Sequence, residues 1–291
     1  MKKYSKNNGK KRSFVKFLIA LFAIFIVLSV ALFLYVLLNK NIVFEKIETE
    51  SKFVSDDIAK NSTPIIIDNV LIGGVYDKKW VSTERFFLNS TNKANLEIDI
   101  YNKVGKKGTY ALNSIAQGNT TTVYSATTNT NMIDEYFAIA KNDNFDAMKL
   151  QAIKRQNVTE TEVEYVKKAL GVYRLFNTTV KVTEVYDISL SQGNNGILIF
   201  ATNEVGKSMG VYSAVVYVDN NNKASLLKYN YIRDTKDASN WPIYSFKFAA
   251  DLNTDGVNEI IIQETKEFEV KYDVIEYKDN KFSEVLSTVI K

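Results

Sequence analysis

The residues whose types and spacing are best suited to chemistry lie in one short loop near the end of the chain. The segment Asp251-Leu252-Asn253-Thr254-Asp255-Gly256-Val257-Asn258-Glu259 places carboxylate or amide oxygens at loop positions 1, 3, 5 and 9 and a glycine at position 6. Calcium takes about six to eight hard oxygen ligands, and alternate side chains of a tight loop can point to one centre. The glycine permits the sharp turn, and the carbonyl at position 7 can supply a further ligand. The sequence therefore predicts a structural calcium site on Asp251, Asn253, Asp255, Val257 and Glu259.

A second interpretation of this loop is an Asx-rich turn, in which short polar side chains cap backbone amides and the carboxylates face solvent. The loop does not fit an EF-hand, because its position 12 is Ile262 where an EF-hand has a bidentate glutamate. Its flanks, Tyr244 to Ala250 and Glu259 to Gln263, have the composition of strands. We therefore predict a strand, the loop and a second strand.

This arrangement resembles the cation loop of FG-GAP/VCBS-type repeats, whose pattern is similar to Phe248 to Gly256 followed by an acidic residue and aliphatic residues. The resemblance implies calcium on Asp251, Asn253, Asp255 and Glu259, and a surface or adhesion context. Such repeats normally build a propeller with a loop in several blades, whereas this chain has one intact loop. Ser189 to Ile199 aligns with the loop as a degenerate copy if the Asp255 position is deleted. That copy has no carboxylate, so we expect no metal there, and the lack of a steady repeat period argues against a full propeller.

The chain has no cysteine and no histidine. This excludes cysteine nucleophiles, disulfides, thiolate or imidazole metal sites and every catalytic triad that uses histidine as its base. Gly206 to Gly210 fits the G-x-S-x-G nucleophile pattern, but without histidine we interpret it as a loop between strands. Carboxylates remain as possible acids or bases at Asp56-Asp57, Asp134-Glu135, and Glu160, Glu162 and Glu164. We interpret these as solvated charges, and predict no catalytic residue and no enzyme.

An uncharged apolar run of 23 residues extends from Phe17 to Asn39. As a helix it would span roughly 34 Å, enough for one tilted crossing of a hydrocarbon core of about 30 Å. It is longer than the apolar region of a cleaved secretory signal. The basic residues that precede it are Lys2, Lys3, Lys6, Lys10, Lys11, Arg12 and Lys16. The positive-inside rule then predicts a single-pass protein of the cell membrane, with a cytoplasmic N-terminus, an extracellular C-terminal domain and the lipid bilayer as a partner.

Charge is distributed unevenly along the chain. The formal net charge is +4, and the first 16 residues carry +7, so residues 17–291 carry −3. A mildly acidic ectodomain has no basic face with which to replace the counterions of a nucleic acid, so we predict no nucleic-acid partner. The basic cluster is explained by topology and by attraction to anionic lipid headgroups.

We predict five segments: a cytoplasmic basic tail at 1–16, a transmembrane helix at 17–39, a stalk at 40–63, a β-rich unit at 64–155 and an α+β unit at 156–291 that contains the D-x-N-x-D-G loop. The predicted fold class is α+β, mainly antiparallel β, with one N-terminal transmembrane helix and an extracytoplasmic region of two β-rich units, the second with a packed helix. That helix begins at a capping box of Thr159 and Glu162 and continues with Val163, Val166, Leu170 and Tyr173 at helical spacing.

Short runs rich in β-branched and aromatic residues, separated by turn residues, predict the strands. In the first unit they are Ile65–Ile67, Val70–Tyr76, Trp80–Thr83, Leu96–Tyr101, Tyr110–Ile115 and Thr120–Ser125. In the second they are Val180–Tyr186, Ile197–Ala201, Tyr212–Val218, Ala224–Tyr231, Ser245–Ala249, Glu259–Gln263, Tyr272–Tyr277 and Phe282–Val289. Turn chemistry comes from Gly73-Gly74, Asp77 to Lys79, Val104 to Gly108, Asp219 to Asn222 and Lys278 to Asn280. For the second unit we expect one antiparallel sheet with the helix against it.

The N-terminal anchor, the segment from Gly73 to Trp80 and the late loop together resemble a group of N-terminally anchored envelope proteins of low-GC Gram-positive bacteria. The resemblance spans residues 64–291 and implies an envelope location. We therefore expect a non-catalytic binding or structural module of the cell envelope, with a cell-wall polymer or another envelope protein as partner and calcium stiffening one hairpin. The alternatives are a sensory or regulatory membrane protein that acts through a partner, since its tail is too short for an output domain, and a hydrolase that uses carboxylates alone.

Overall fold

A computed structural model describes nine stretches of the chain: residues 56–88, 95–103, 105–117, 124–128, 135–141, 152–171, 179–203, 211–232 and 241–290. The predicted basic tail, the predicted transmembrane helix, most of the predicted stalk, Asp134 and the Gly206 to Gly210 motif lie outside them. Within these stretches, no helix combines the length and the apolar character that a membrane crossing requires. All of them belong to one compact unit, residues 48–291.

The first sheet contains seven antiparallel strands, and its pairings return to their starting point. The strands are β1 (Thr63–Ile67), β2 (Val70–Tyr76), β3 (Lys79–Ser82), β4 (Glu97–Asn102), β5 (Gly105–Gln117), β6 (Tyr124–Thr128) and β7 (Phe137–Ala140). They follow the order β1-β7-β4-β5-β6-β2-β3, and β1 also pairs with β2. Between β2 and β6 the pairing is the single pair Val70 with Ser125. We call this the closed sheet.

Two further antiparallel sheets follow along the chain. The second sheet has the order β12-β11-β10-β9-β8, with β8 (Ala152–Lys154), β9 (Val180–Ser191), β10 (Asn194–Asn203), β11 (Val211–Asp219) and β12 (Ala224–Ile232). The third sheet has the order β13-β14-β15-β16, with β13 (Ile243–Ala250), β14 (Glu259–Thr265), β15 (Val270–Lys278) and β16 (Lys281–Ile290). The predicted fold class is thus confirmed in its main feature, which is predominantly antiparallel β structure in several sheets.

The hairpins are tight because Asp and Asn supply the left-handed backbone that two-residue β-turns require. Asp68 and Asn69 have φ of 46° and 67° between β1 and β2, and Asp279 and Asn280 have φ of 52° and 61° between β15 and β16. A side chain stabilises the turn after β11. Oδ1 of Asp219 accepts hydrogen bonds from the backbone N–H groups of Asn221 at 2.9 Å and Lys223 at 2.8 Å. The predicted turns at Asp219 to Asn222 and Lys278 to Asn280 are confirmed.

In the described part of the chain, three helices accompany the sheets: α1 (Asp56–Asn61), α2 (Thr83–Leu88) and α3 (Glu160–Leu170). The predicted capping box at the start of α3 is confirmed, with Thr159 as the N-cap and the Glu162 side chain accepting the Thr159 amide hydrogen. One face of α3 packs on the second sheet, where Val166 is fully buried together with Val185 and Ile199. The predicted contact between this helix and a sheet is therefore present.

The third sheet is the middle layer of the fold. One of its faces packs on the closed sheet through residues that include Phe248, Ile261 and Val274. Its other face packs on the second sheet through residues that include Ile260 and Ile262. A strand covered on both faces has no need for polar residues at alternate positions, which explains the uninterrupted Ile260-Ile261-Ile262 run.

Several details differ from the sequence-based expectations. Gly73 and Gly74 do not form a turn but lie inside β2, where a Cβ on Gly74 would approach the Phe86 ring to 2.3 Å. The last predicted strand residue of β3, Thr83, instead begins α2. The end of the predicted stalk forms α1, whose Ala59 is fully buried.

Strands β7 and β8 were not predicted. The strands of residues 156–291 form two sheets instead of one, because β13 begins a separate layer.

Candidate cation site

The loop from Asp251 to Glu259 connects β13 to β14 and lies where the three sheets meet. Its tight path requires two left-handed residues, Thr254 with φ of 60° and Gly256 with φ of 94°. A side chain at Gly256 would find open space, so the backbone conformation alone accounts for glycine there. The chain thus forms the compact turn that the spacing predicted.

The short polar side chains of the loop turn inward onto its backbone. Asp251 accepts the amide hydrogens of Asp255 and Gly256 with its two oxygens, each at 2.9 Å. Oδ1 of Asn253 also accepts the Asp255 amide hydrogen at 2.9 Å, and Oδ1 of Asp255 accepts the Val257 amide hydrogen at 2.8 Å. These are the bonds of an Asx-rich turn. They do not exclude a cation, because each oxygen that accepts one hydrogen bond keeps a second lone pair.

Glu259 distinguishes this loop from an ordinary polar turn. Its side chain is fully buried, and Oε2 accepts the Leu252 amide hydrogen at 2.8 Å. Its other oxygen, Oε1, is buried and has no hydrogen-bond partner among the described residues. Burial raises the pKa of Glu259 well above its usual value, and the negative charges of Asp255, Asp251 and Glu276 raise it further, against the lowering effect of the Leu252 bond.

Glu276 on β15 is a member of the site that the sequence analysis missed. It is 7 % exposed, and its Oε1 accepts two hydrogen bonds, from Nδ2 of Asn253 at 3.1 Å and from Nε1 of Trp80 at 3.0 Å. Trp80 belongs to β3 of the closed sheet, and it ends the Gly73 to Trp80 segment noted in the sequence. The two segments that carried the family resemblance are therefore joined through one carboxylate. No local signal points to Glu276, because it lies in an ordinary strand far along the chain from both.

The loop is also attached to the second sheet. Asn258 donates its backbone N–H to the Leu190 carbonyl at 2.6 Å and its Nδ2–H to the Ser189 carbonyl at 2.7 Å. Ser189 and Leu190 lie at the end of β9, in the segment that aligns with the loop as a degenerate copy. The degenerate copy joins the first two strands of the meander β9 to β12, and the Asp251 loop joins the first two strands of the meander β13 to β16.

The donor types in the loop are those that a hard divalent cation binds. Among the described residues, no three His, Cys, Asp or Glu side chains are grouped so as to hold a metal by themselves, so the Asn253 amide and the Val257 carbonyl would have to contribute. Oxygen donors of mixed type are what calcium uses. A buried carboxylate oxygen without a donor, close to further carboxylates, is a group that a cation stabilises directly.

Three of the carboxylates considered as acids or bases, Glu135, Glu162 and Glu164, are engaged elsewhere. Glu135 binds Lys247 at 2.9 Å and Lys103 at 2.6 Å, and the lysine contacts hold its pKa below the usual value although burial opposes them. Glu162 closes the α3 capping box, and Glu164 pairs with Lys167 at 2.7 Å. The structure does not bring these residues to the loop.

Comparison of the chain with protein-family models, with curated proteins and with solved structures gave no match. The resemblance of the loop to FG-GAP/VCBS-type repeats, and of the whole to anchored envelope proteins, accordingly stays a prediction from the sequence.

Proposed function

We propose that this chain is a single-pass membrane protein whose folded part lies outside the cell and serves as a non-catalytic binding or structural module of the cell envelope, with calcium bound in the Asp251 to Glu259 loop. The observation that carries the calcium part of the proposal is the buried, unpartnered Oε1 of Glu259. The apolar run from Phe17 to Asn39 and the basic residues before it support the anchor and its orientation.

The charge around the loop favours a cation. Asp251, Asp255 and Glu259 all contribute carboxylates, and Glu276 adds a fourth negative charge next to Asn253. Without a counter-charge, these groups repel one another and oppose the ionisation of Glu259. Bound calcium would be held by Asp251, Asn253, Asp255, Glu259 and the Val257 carbonyl, and its positive charge would remove this repulsion.

The position of the loop gives calcium a structural role. Leu252 packs in the core between the closed sheet and the third sheet, and Val257 packs against the core between the second and third sheets. Asn258 bonds to the end of β9. A cation that rigidifies this loop would therefore stabilise the junction of three sheets. A module with such a junction suits a mechanical or recognition task in the envelope, and we propose a wall polymer or another envelope protein as its partner.

A melting experiment tests the calcium site. Extracellular sites bind calcium with dissociation constants of about 10⁻⁴ to 10⁻³ M, so a concentration tenfold above the constant stabilises the native state by about 1.4 kcal/mol. For a folded unit of this size we expect a rise in melting temperature of about 3 to 6 °C over a sample in EDTA. Asp255→Asn should abolish most of this rise, and the matched change Asp279→Asn, in a hairpin turn away from the loop, should leave it intact.

Two results would count against the site. The first is a wild-type melting temperature that is the same in calcium and in EDTA. The second is a calcium-dependent rise that persists in Asp255→Asn, which would place the cation elsewhere on the chain. Magnesium at the same concentration serves as a control for ionic strength, since it demands smaller, more regular octahedral sites.

A further inference from the structure

A groove on the described surface lies between helix α3 and the end of the second sheet. It has a volume of about 540 Å³ and is separate from the residues proposed to bind calcium. Residues that line it include Arg155, Tyr165, Asp187, Asn195, Ile197 and Asn222. We call it the α3 groove. Its volume falls within the range of about 300–1,000 Å³ that is typical of small-molecule sites.

The polar side chains of the α3 groove offer both donors and acceptors that the protein itself leaves unused. Asn195 is exposed, and its side-chain amide has no hydrogen-bond partner in the part of the chain that the structure describes. The guanidinium of Arg155 binds Oδ1 of Asp187 twice and Glu162 once, which leaves two of its five N–H groups available. The second oxygen of Asp187 accepts none of these bonds. The side-chain oxygen of Asn222 accepts a hydrogen bond from the Tyr165 hydroxyl, and the side-chain NH₂ of Asn222 can still donate.

The groove also has apolar surface beside these polar groups. Ile197 and Val218 contribute to its wall and belong to the packing beneath α3. Ile153 at the groove is 63 % exposed, which is unusual for an isoleucine on a strand. Tyr165 presents an aromatic ring that is only partly buried. A ligand here would therefore meet C–H surface and a ring on one side and amides, a carboxylate and a guanidinium on the other.

The charges of the α3 groove disfavour anionic ligands and give a cation no carboxylate without a partner. Arg155 is the one basic residue that lines the groove, against the three carboxylates of Glu162, Asp187 and Asp219, a formal balance of −2. A phosphate or carboxylate ligand would face that negative balance. A cationic ligand would face the guanidinium, which lies between Glu162 and Asp187 and is held by both. A neutral ligand rich in hydroxyl groups meets neither penalty, because each hydroxyl both donates and accepts.

From these contacts we infer that the α3 groove binds a neutral saccharide. Sugar hydroxyls would bond to the Asn195 amide, the free oxygen of Asp187, the unused N–H groups of Arg155 and the Asn222 amide. The C–H face of the sugar ring would lie against Ile197 and Tyr165. This site is distinct from the calcium loop, and it extends the proposed envelope role by assigning a class of ligand to a particular surface.

Ligand-observed saturation-transfer NMR on the full chain in lipid nanodiscs tests the proposal. Nanodiscs avoid glycoside detergents, which would compete for the groove. The probes are maltose and N,N′-diacetylchitobiose as neutral disaccharides, with glucose 6-phosphate and glucosamine as the anionic and cationic comparisons. We expect saturable binding of at least one neutral disaccharide that is tighter than either charged sugar, both in calcium and in EDTA.

Variants place the binding in the groove. Asn195→Ala removes an exposed amide without disturbing any hydrogen bond of the fold, and we expect about fivefold weaker binding, as for loss of one neutral hydrogen bond. Asn195→Trp should obstruct the groove and abolish binding. The matched control Asn221→Ala, an exposed asparagine in the neighbouring turn that does not line the groove, should bind as the wild type does.

Three outcomes would overturn the inference. The absence of a saturable signal from both neutral disaccharides would rule out a neutral saccharide as the ligand of the groove. Tighter binding of the phosphate or the amine would contradict the charge argument. Unchanged binding by both Asn195 variants would place the sugar elsewhere. None of these results bears on the calcium-dependent melting, so the two proposals fail independently.

Discussion

Glu276 gives the most direct test of how the sheets are joined, because a single carboxylate oxygen accepts hydrogen bonds from two separate parts of the fold. Replacing Glu276 with alanine leaves Nε1 of Trp80 and Nδ2 of Asn253 without this acceptor in a largely buried site. Each orphaned buried donor costs about 1 to 3 kcal/mol. We therefore expect the free energy of unfolding to fall by about 3 kcal/mol, allowing for partial relaxation. In a unit of this size, that corresponds to a fall of about 6 to 12 °C in melting temperature.

Glu276→Gln separates the hydrogen bonds from the charge. Its amide oxygen can still accept from Trp80 and Asn253, although neutral hydrogen bonds are roughly half as strong as charge-assisted ones. We expect a loss of about 1 kcal/mol, or about 2 to 4 °C. Calorimetric melts of the purified chain in EDTA measure both values. The chain has two tryptophans, so a Trp241→Phe background assigns the emission to Trp80, which should change in Glu276→Ala and much less in Glu276→Gln.

The reasoning would be refuted if both Glu276 variants melted at the wild-type temperature with unchanged Trp80 emission. It would also be refuted if the glutamine variant were as unstable as the alanine variant, because the stabilisation would then come from the charge and not from the two hydrogen bonds.

Three further predictions concern other parts of the fold. Burial opposes ionisation of Glu162, but its capping-box bonds and a nearby arginine outweigh burial and hold its pKa below the ordinary 4.5. Its stabilising contribution is therefore present above pH 4.5 and lost as the pH falls through the lowered pKa, so the melting difference between wild type and Glu162→Gln should shrink in acid and not in base. Gly74→Ala forces a Cβ to within 2.3 Å of Phe86 and should cost about 1 to 3 kcal/mol, measured by urea unfolding; a wild-type midpoint would show that α2 moves freely. Lys228→Met removes a buried partner at 2.7 Å from the fully buried Asp273 and should cost about 3 kcal/mol in the same assay, whereas an unchanged midpoint would show that Lys271, at 2.8 Å from the other oxygen of Asp273, suffices.

Local features of the fold were predictable from the sequence. The capping box at Thr159 and Glu162, the turn at Asp279-Asn280 and the strands on both sides of the Asp251 loop depend on neighbouring residues, and the structure contains all of them. The oxygen-rich loop was also recognisable, because its ligand types recur within nine residues. These features follow from interactions that a short window of sequence contains.

Features that depend on distant parts of the chain were not predictable. The Gly73-Gly74 pair suggested a turn. In the structure, Gly74 has no side chain to obstruct the Phe86 ring of α2, which packs closely on β2. No local pattern encodes this contact. Glu276 became part of the candidate site only through the packing of β3 and β15 beside the loop. The division of the later strands into two layers likewise depends on which face of β13 and β14 each partner covers. Short strands such as β8 carry too few residues for a periodic pattern to show.

The way in which β1 enters the closed sheet affects how the protein would respond to tension. A force that reaches the folded part from its N-terminal side arrives through α1 and then β1. This strand is paired over five residues with β2 and over three with β7. Pulling it free would break both ladders together and expose Ile65, Ile66 and Ile67, all of which are fully buried. Resistance to such force is set by the rate of unfolding rather than by equilibrium stability. A first strand that is paired on both sides should be slow to separate from the closed sheet.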